Sequence, residues 1–244
     1  EAGLKQTLAA FRQQGIVSFG SGLNARQASA PLVISVGGKV FKFYSAYWFR
    51  LYMEQDCAFY AQPRRAGAAC ISGELIEQLR AEKARDNPAT TIVLAHWGMD
   101  YRWTGEQQRA LAKRLTRAGA DLIIGSGPHM LGEIERLGDA WVVYSIGNGV
   151  FNSNGEYRQR NVPPYGFIVR LQVGGEQPKL CLHPVLLDNQ QTFWQPRPVG
   201  PAEFEQVMTI LAERGVDFSP SSGIATGAES VVITLPLGPQ FGGI

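Results

Sequence analysis

This sequence is short of cysteine and histidine, carries almost no surplus of either charge, and contains no long hydrophobic run; each shortage excludes something. Cys57, Cys70 and Cys181 are the only thiols, too few and too scattered for a disulfide framework or a paired-cysteine zinc site. Their odd number favours a reducing compartment, hence the cytoplasm. No apolar run approaches the ~20 residues that a membrane-spanning helix needs, and no signal-peptide pattern opens the chain. The chain starts Glu1-Ala2-Gly3 without a methionine, which leaves room for a processed leader or a longer parent. With 23 basic against 21 acidic residues the net charge is +2. The basic groups Arg12 to Arg26, Arg64-Arg65 and Arg109 to Arg117 are each broken by acidic or apolar residues. No clustered basic stripe exists to hold a nucleic acid. A G-x-S-x-G elbow, a P-loop and a dinucleotide fingerprint are all missing.

What is present is an alternation of helix and strand signals in 244 residues, 45% of them hydrophobic, which is enough to bury a sizeable core. Leu4, Leu8 and Phe11 recur at helical spacing and stop at Gly15; the run Ile16 to Phe19 then predicts a strand, and Gly20-Ser21-Gly22 a turn. Pro31 to Val36 and Lys39 to Tyr44 predict a hairpin around Gly37-Gly38. Tyr47 to Tyr60 has no assignable period. A helix is expected from about Gly73 to Arg85, ended by Asn87-Pro88. Thr91 to Ala95 suits a strand buried on both faces. Thr104, with Gln107 three residues on, predicts a capped helix to Ala118. Asp121 to Ile124 is a second buried strand, and Glu133 to Leu137 with Trp141 to Ser145 a further pair. This strand–helix–strand order predicts a right-handed crossover with mainly parallel pairing. Farther on, Phe167 to Val173 and Leu180 to Leu187 read as strands joined at Gly174-Gly175. Pro196 to Pro201 reads as a linker, Ala202 to Arg214 as an amphipathic helix, and Ser230 to Leu235 as a last strand.

Two of the three histidines fall at informative places. His96 and His129 lie just beyond the carboxyl ends of the two buried strands, where open α/β sheets gather their ligands. Neutral imidazoles there suit a transition metal. His183 sits inside a strand pattern and reads as structural. Trp97, Tyr101 and Trp103 cluster after His96 and suit either a substrate wall or aromatic core packing. Arg102 and Arg109 suit a carboxylate-rich or phosphorylated substrate, although Arg109 reads better as an exposed helix charge.

The segment from Thr90 to Ser153, TIVLAHWGMDYRWTGEQQRALAKRLTRAGADLIIGSGPHMLGEIERLGDAWVVYSIGNGVFNS, resembles the second half of the CapA family of bacterial capsule (poly-γ-glutamate) synthesis proteins. That pattern runs, in outline, through HWG-x-E-Y, Q-R-x-L-A, A-G-A-D, I-G-x-H-P-H and Y-S-L-G-N-F. GLKQTLAAFRQQGIVSFGSGLNARQASAPLVI upstream is similar to the family's helix, strand and G-x-G turn. PPYG at Pro163 to Gly166 and DNQQT at Asp188 to Thr192 resemble a subgroup sometimes fused to ATP-grasp domains.

The resemblance implies an α/β metallophosphoesterase-like fold, an α/β/β/α sandwich with mixed sheets, incomplete at its N-terminus. Residues 1–195 would form that domain's C-terminal part, and 196–244 a C-terminal helix with a Gly/Pro/Ser-rich extension. It implies one or two divalent metal ions (Mn, Fe or Zn), with His96 and His129 as ligands. His129 and Asp100 would do the catalysis, and Asn148, Trp97 and Tyr101 would hold the substrate. Asp100 stands where the family usually has Glu, and Gly127 where many relatives have a further imidazole. The family's first metal-binding Asp and its Asn-Asn-His motif would precede Glu1, or be supplied by another segment or a fused ATP-grasp domain. The implied function is metal-dependent hydrolysis of phosphoester or γ-glutamyl linkages in an anionic polymer, or of a phosphorylated small molecule. The alternative is a non-catalytic polymer-binding or scaffold subunit. The family also implies a second location, outside the cytoplasmic membrane.

Overall fold

The computed structural model describes residues 2–173, 178–227 and 231–242. The chain divides into two compact units, Glu1–His96 with Lys113–Leu122, and Trp97–Ala112 with Ile123–Ile244.

In the first unit the helix Ala2–Gln13 buries none of its residues. The strand expected at Ile16 to Phe19 does not form. The Ile16 amide instead turns back to the Phe11 carbonyl (2.8 Å) and the Gly15 amide to Arg12 (3.3 Å), the paired bonds of a Schellman stop. The helix end thus takes the backbone group that a ladder would need. The hairpin is as expected: Leu32–Val36 pairs antiparallel with Lys39–Tyr47. Gly37 and Gly38 both hold positive φ (54° and 76°), as a type I′ turn requires. Lys39–Tyr47 then pairs parallel with Thr90–His96, so the sheet is mixed. The intervening Tyr47 to Tyr60 stretch contains a short helix, Leu51–Cys57. The helix Gly73–Lys83 turns Leu75, Ile76 and Leu79 inward. Its buried Glu82 accepts from Lys42 Nζ (2.5 Å) and from the Ala89 amide (2.8 Å), just ahead of the Thr90–His96 strand.

In the second unit the strand order is Leu122–Ser126, Ala140–Val143, Ile134–Leu137, the last two antiparallel. A second sheet is built on Lys179–Leu186, which pairs antiparallel with Tyr165–Gln172, Arg197–Pro198 and Val232–Pro236; Ala225–Gly227 extends it. The expected linker therefore contributes a short strand, and the Gly174-Gly175 turn lies outside the described residues. Trp141 Nε1 donates to the Pro236 carbonyl (2.7 Å), a direct tie between the two sheets. The helix Pro201–Glu213 buries Phe204, Val207 and Leu211. The fold is thus α/β with mixed sheets, compatible with a metallophosphoesterase-like sandwich.

The helix expected from Thr104 starts at Glu106 and ends at Ala118. Its cap is not the Thr104 hydroxyl, which is drawn instead to buried Glu133. Gly105 is the capping residue, with Gln108 Oε1 accepting from its amide (3.1 Å), half of a capping box one position later. Among the described residues no helix is long and apolar enough to cross a membrane.

Candidate functional site

Three chain segments leaving strand ends meet in the second unit: the loop from Trp97, the loop after Leu122–Ser126, and the loop after Ala140–Val143. Backbone bonds register them. Trp97 N donates to Ser126 O (2.8 Å), Tyr101 N to Pro128 O (2.8 Å) and Ile146 N to Gly125 O (2.9 Å). Asp100 and Tyr101 come from the first, His129 from the second, Asn148 and Phe151 from the third.

His129 is held on all sides but one. Its Nδ1 is 2.7 Å from Asn148 Oδ1. The Asn148 Nδ2 donates to the Tyr157 hydroxyl (3.2 Å), and that hydroxyl donates to the carbonyl of His129 itself (2.7 Å). The three bonds close a ring that begins and ends at residue 129. With the Asn148 amide nitrogen engaged by Tyr157, its oxygen faces the imidazole, so Nδ1 carries the proton. The neutral ring then offers the Nε2 lone pair. Nε2 lies 3.8 Å from Asp100 Oδ1. The imidazole is sandwiched between Tyr101 (centroids 5.3 Å, 27°) and Phe151 (4.8 Å, 24°). His129 and Tyr101 both hold left-handed backbone, φ 64° and 54°, a sparsely populated region for such residues that persists only where surroundings enforce it.

Those surroundings are an apolar cluster of Tyr101, Met130, Tyr157, Val185 and Leu187, with Trp103 and Val162 against it. Burial pushes the Tyr157 phenol well above its usual value, against a smaller opposite pull from the Asn148 amide. It therefore stays protonated and keeps the ring closed. The loop carrying Phe151 is fixed by a buried polar network. Ser153 N and Oγ donate to Asn189 Oδ1 (2.9 and 2.5 Å), and Asn189 Nδ2 donates to Asn152 Oδ1 (3.1 Å). Asp188 caps the same turn by accepting from the Gln190 amide (3.1 Å). The DNQQT run thus has a local job, bracing the loop over His129.

The expected site residues separate. Asp100, Tyr101, His129 and Asn148 come together. Tyr101 is a packing face for His129, 7% exposed, with the Arg160 guanidinium over its ring at 5.6 Å. Trp97 is a core residue: it is 0% exposed and its Nε1 donates to the Tyr144 carbonyl (2.8 Å), so no face remains for a substrate. His96 belongs to the first unit, where its exposed ring stacks on Tyr47 at 4.5 Å and 17°. Arg109 is not a free helix charge. It pairs with buried Glu133 (3.4 Å) and with Glu135 (3.2 Å) and lies over the Tyr144 ring. Sequence reasoning missed Phe151 and Tyr157. The family's aromatic directly after the motif Asn gave a signal for the first, displaced here to Phe151 by Gly149-Val150. Nothing in the spacing pointed to Tyr157.

Position 127 is settled by its backbone. Gly127 has φ +121°, and a Cβ there would lie 2.3 Å from the Trp97 carbonyl oxygen. No L side chain fits, so the imidazole that the family resemblance led one to expect has no place in this loop. Among the described residues no group of three or more His, Cys, Asp and Glu side chains converges as a metal site. His129 and Asp100 offer two donors, short of what a two-metal clamp needs, so the described residues do not by themselves fit such a centre.

The fold and this loop cluster define an α/β protein with a single tethered imidazole at the carboxyl ends of its strands. The chain belongs to the family described as bacterial capsule synthesis protein PGA_cap, whose model matches residues 1–153. It is 28% identical over 155 residues to the PGA biosynthesis protein CapA of Bacillus subtilis (strain 168), a match covering 62% of this chain and 38% of that one. It is 29% identical over 156 residues to the capsule biosynthesis protein CapA of Bacillus anthracis, covering 62% and 36%. The matched part therefore spans less than two-fifths of the curated relatives' length. A crystal structure of a hypothetical protein from Thermus thermophilus aligns with TM-score 0.35 at 14% identity, covering 70% of this chain and 59% of that one.

Proposed function

We propose that this member of the capsule synthesis family is a hydrolase of phosphoester or γ-glutamyl-type linkages in an anionic envelope polymer, with His129 as its general acid–base. The observation that carries the reading is the oriented imidazole. Asn148 holds Nδ1–H, which presents Nε2 to the solvent side, with the Asp100 carboxylate 3.8 Å away. Once protonated, Nε2 gives its proton to the leaving oxygen or nitrogen of the scissile bond. A carboxylate or phosphate on the polymer would meet exposed Arg102, nearby in sequence. The divalent ions implied by the family resemblance (Mn, Fe or Zn) would supply Lewis acidity, but they require ligands beyond His129 and Asp100. The test measures hydrolysis of p-nitrophenyl phosphate and γ-glutamyl-p-nitroanilide by the intact chain and by His129→Gln, after incubation with each metal and with metal content read by plasma mass spectrometry. Turnover that falls at least tenfold in His129→Gln supports the reading. Metal-free protein with no turnover on either probe sinks it.

A second reading has its own observation: the backbone at Gly127 excludes the imidazole that the family resemblance implies there. It makes the chain a non-catalytic polymer-binding or scaffold subunit. Binding of poly-γ-glutamate without any hydrolysis would favour it.

A further inference from the structure

The hairpin strand Leu32–Val36 stands at one end of its sheet and pairs on one side only, with Lys39–Tyr47. The register decides which backbone groups it leaves over. Val36 and Lys39 close the two-residue turn as a hydrogen-bonded pair, so Ile34 and Leu32 also bond inward, opposite Phe41 and Phe43. Val33 and Ser35 fall at the alternate positions, where N–H and C=O point away from the partner strand. Among the described residues these outward groups make no backbone bond.

Sheets usually block their end strands with charges, proline, a bulge or a covering loop. Ile134–Leu137, the end strand in the second unit, carries Glu135 and Arg136. Tyr165–Gln172 has its first half tied to Leu131 and Ile146, and exposed Arg170 stands in its second half. Leu32–Val36 has neither protection: it reads Leu-Val-Ile-Ser-Val, without a charge. Val33 is 51% exposed and Ile34 40%; Val36 and, on the neighbouring strand, Val40 are exposed as well. Pro31, which has no N–H, bounds the open edge on one side and the Gly37-Gly38 turn on the other.

This edge is its own complement. In an antiparallel pairing about a twofold axis through Ile34, Val33 of one copy lies opposite Ser35 of the other, and Ser35 opposite Val33. Each of these pairs exchanges both N–H···O bonds, so every outward group of the two residues is satisfied at once. Ile34 then meets Ile34 of the second copy on the axis, in the close non-hydrogen-bonded geometry, with Cα atoms about 4.5 Å apart. Leu32 meets Val36 on the same face. No charge within the strand opposes the pairing, and a twofold contact consumes the edge of both copies instead of propagating a fibre.

We propose that Leu32–Val36 is a self-association surface, through which two copies of this chain join their sheets edge to edge with Ile34 on the twofold axis. The surface is independent of the His129 chemistry.

The test is sedimentation velocity of the intact chain from about 1 μM to about 1 mM, a range that brackets weak self-association. The mass is expected to rise reversibly from the 26.7 kDa of one chain to a plateau at twice that value. Ser35→Pro removes an outward N–H and no bond to Lys39–Tyr47, and it should weaken dimerisation at least about tenfold. Ile34→Lys and Ile34→Glu each set like charges against one another on the axis and should be monomeric, whereas their equimolar mixture should dimerise. Circular dichroism confirms the fold of each variant. A wild-type chain that stays monomeric throughout the range overturns the proposal. So does mass that grows without a plateau at the dimer, a dimer that Ser35→Pro and both Ile34 variants leave unchanged, or a mixture that stays monomeric.

Discussion

His96 and His129 both stand at the carboxyl ends of buried strands, His96 as the last residue of Thr90–His96 and His129 in the loop after Leu122–Ser126, yet their surroundings have little in common. His96 is exposed and leans one face on Tyr47. His129 is clamped between two rings, bonded through Asn148 and Tyr157 to its own carbonyl, and held at positive φ. Strand-end position brings an imidazole to the rim of a sheet. What makes it a positioned chemical group is the packing and hydrogen bonding of residues far off in sequence.

The largest effect on this contrast is expected at Gly127. Gly127→His forces a Cβ against the Trp97 carbonyl. It should cost about 4 kcal/mol or more and add no metal-binding capacity; urea denaturation with metal titration checks both. Next in size, Asn148→Ala frees the His129 ring and leaves the Tyr157 hydroxyl without its donor. A loss of about 1–2 kcal/mol is expected, and any His129-dependent turnover should fall tenfold or more. Parallel melts and rate assays on the one variant decide whether stability and activity move together.

The support of the His96 strand is probed by acid. Burial alone would raise the Glu82 pKa, but the Lys42 and Ala89 bonds and the charges of Lys42 and Arg85 outweigh it and bring it below 4.5. A depressed carboxylate contributes stability above its unfolded pKa and loses it as pH falls through the lower folded value. The stability of the wild-type chain should therefore drop more than that of Glu82→Gln as pH is lowered from neutral into the range below 4.5. Denaturation at several pH values tests this. The smallest effect belongs to His96→Ala, which removes the exposed stack on Tyr47 and should shift stability by less than about 1 kcal/mol. A larger loss would show that His96 is as deeply built in as His129.

Much of the scaffold was readable because it is local. The Gly37-Gly38 hairpin, the buried Thr90–His96 run and the helices at Gly73 and Pro201 follow from turn chemistry and apolar period. Errors came where one group had two uses. Ile16 carries a strand-like side chain, but its amide closes a helix stop. Thr104 is a good cap by type, but Glu133 takes its hydroxyl. Trp97 looks like a substrate wall in a string of letters; only the strand beside it shows that Tyr144 fills its hydrogen-bonding need. Asp100, His129 and Asn148 were legible as polar landmarks of a family pattern. Their mutual geometry was not, because Tyr157, which orients Asn148, is reached only through tertiary packing.

The acid–base role of His129 rests on its tautomer, and histidine side-chain ¹H–¹⁵N correlation spectra at neutral pH read it directly, with His129→Gln assigning the signals. The structure predicts a single Nδ1–H form with a bare Nε2, collapsing to a tautomer mixture in Asn148→Ala. A dominant Nε2–H form in the wild-type chain would contradict it, because Nε2 would then have no lone pair for acid–base work or for a metal.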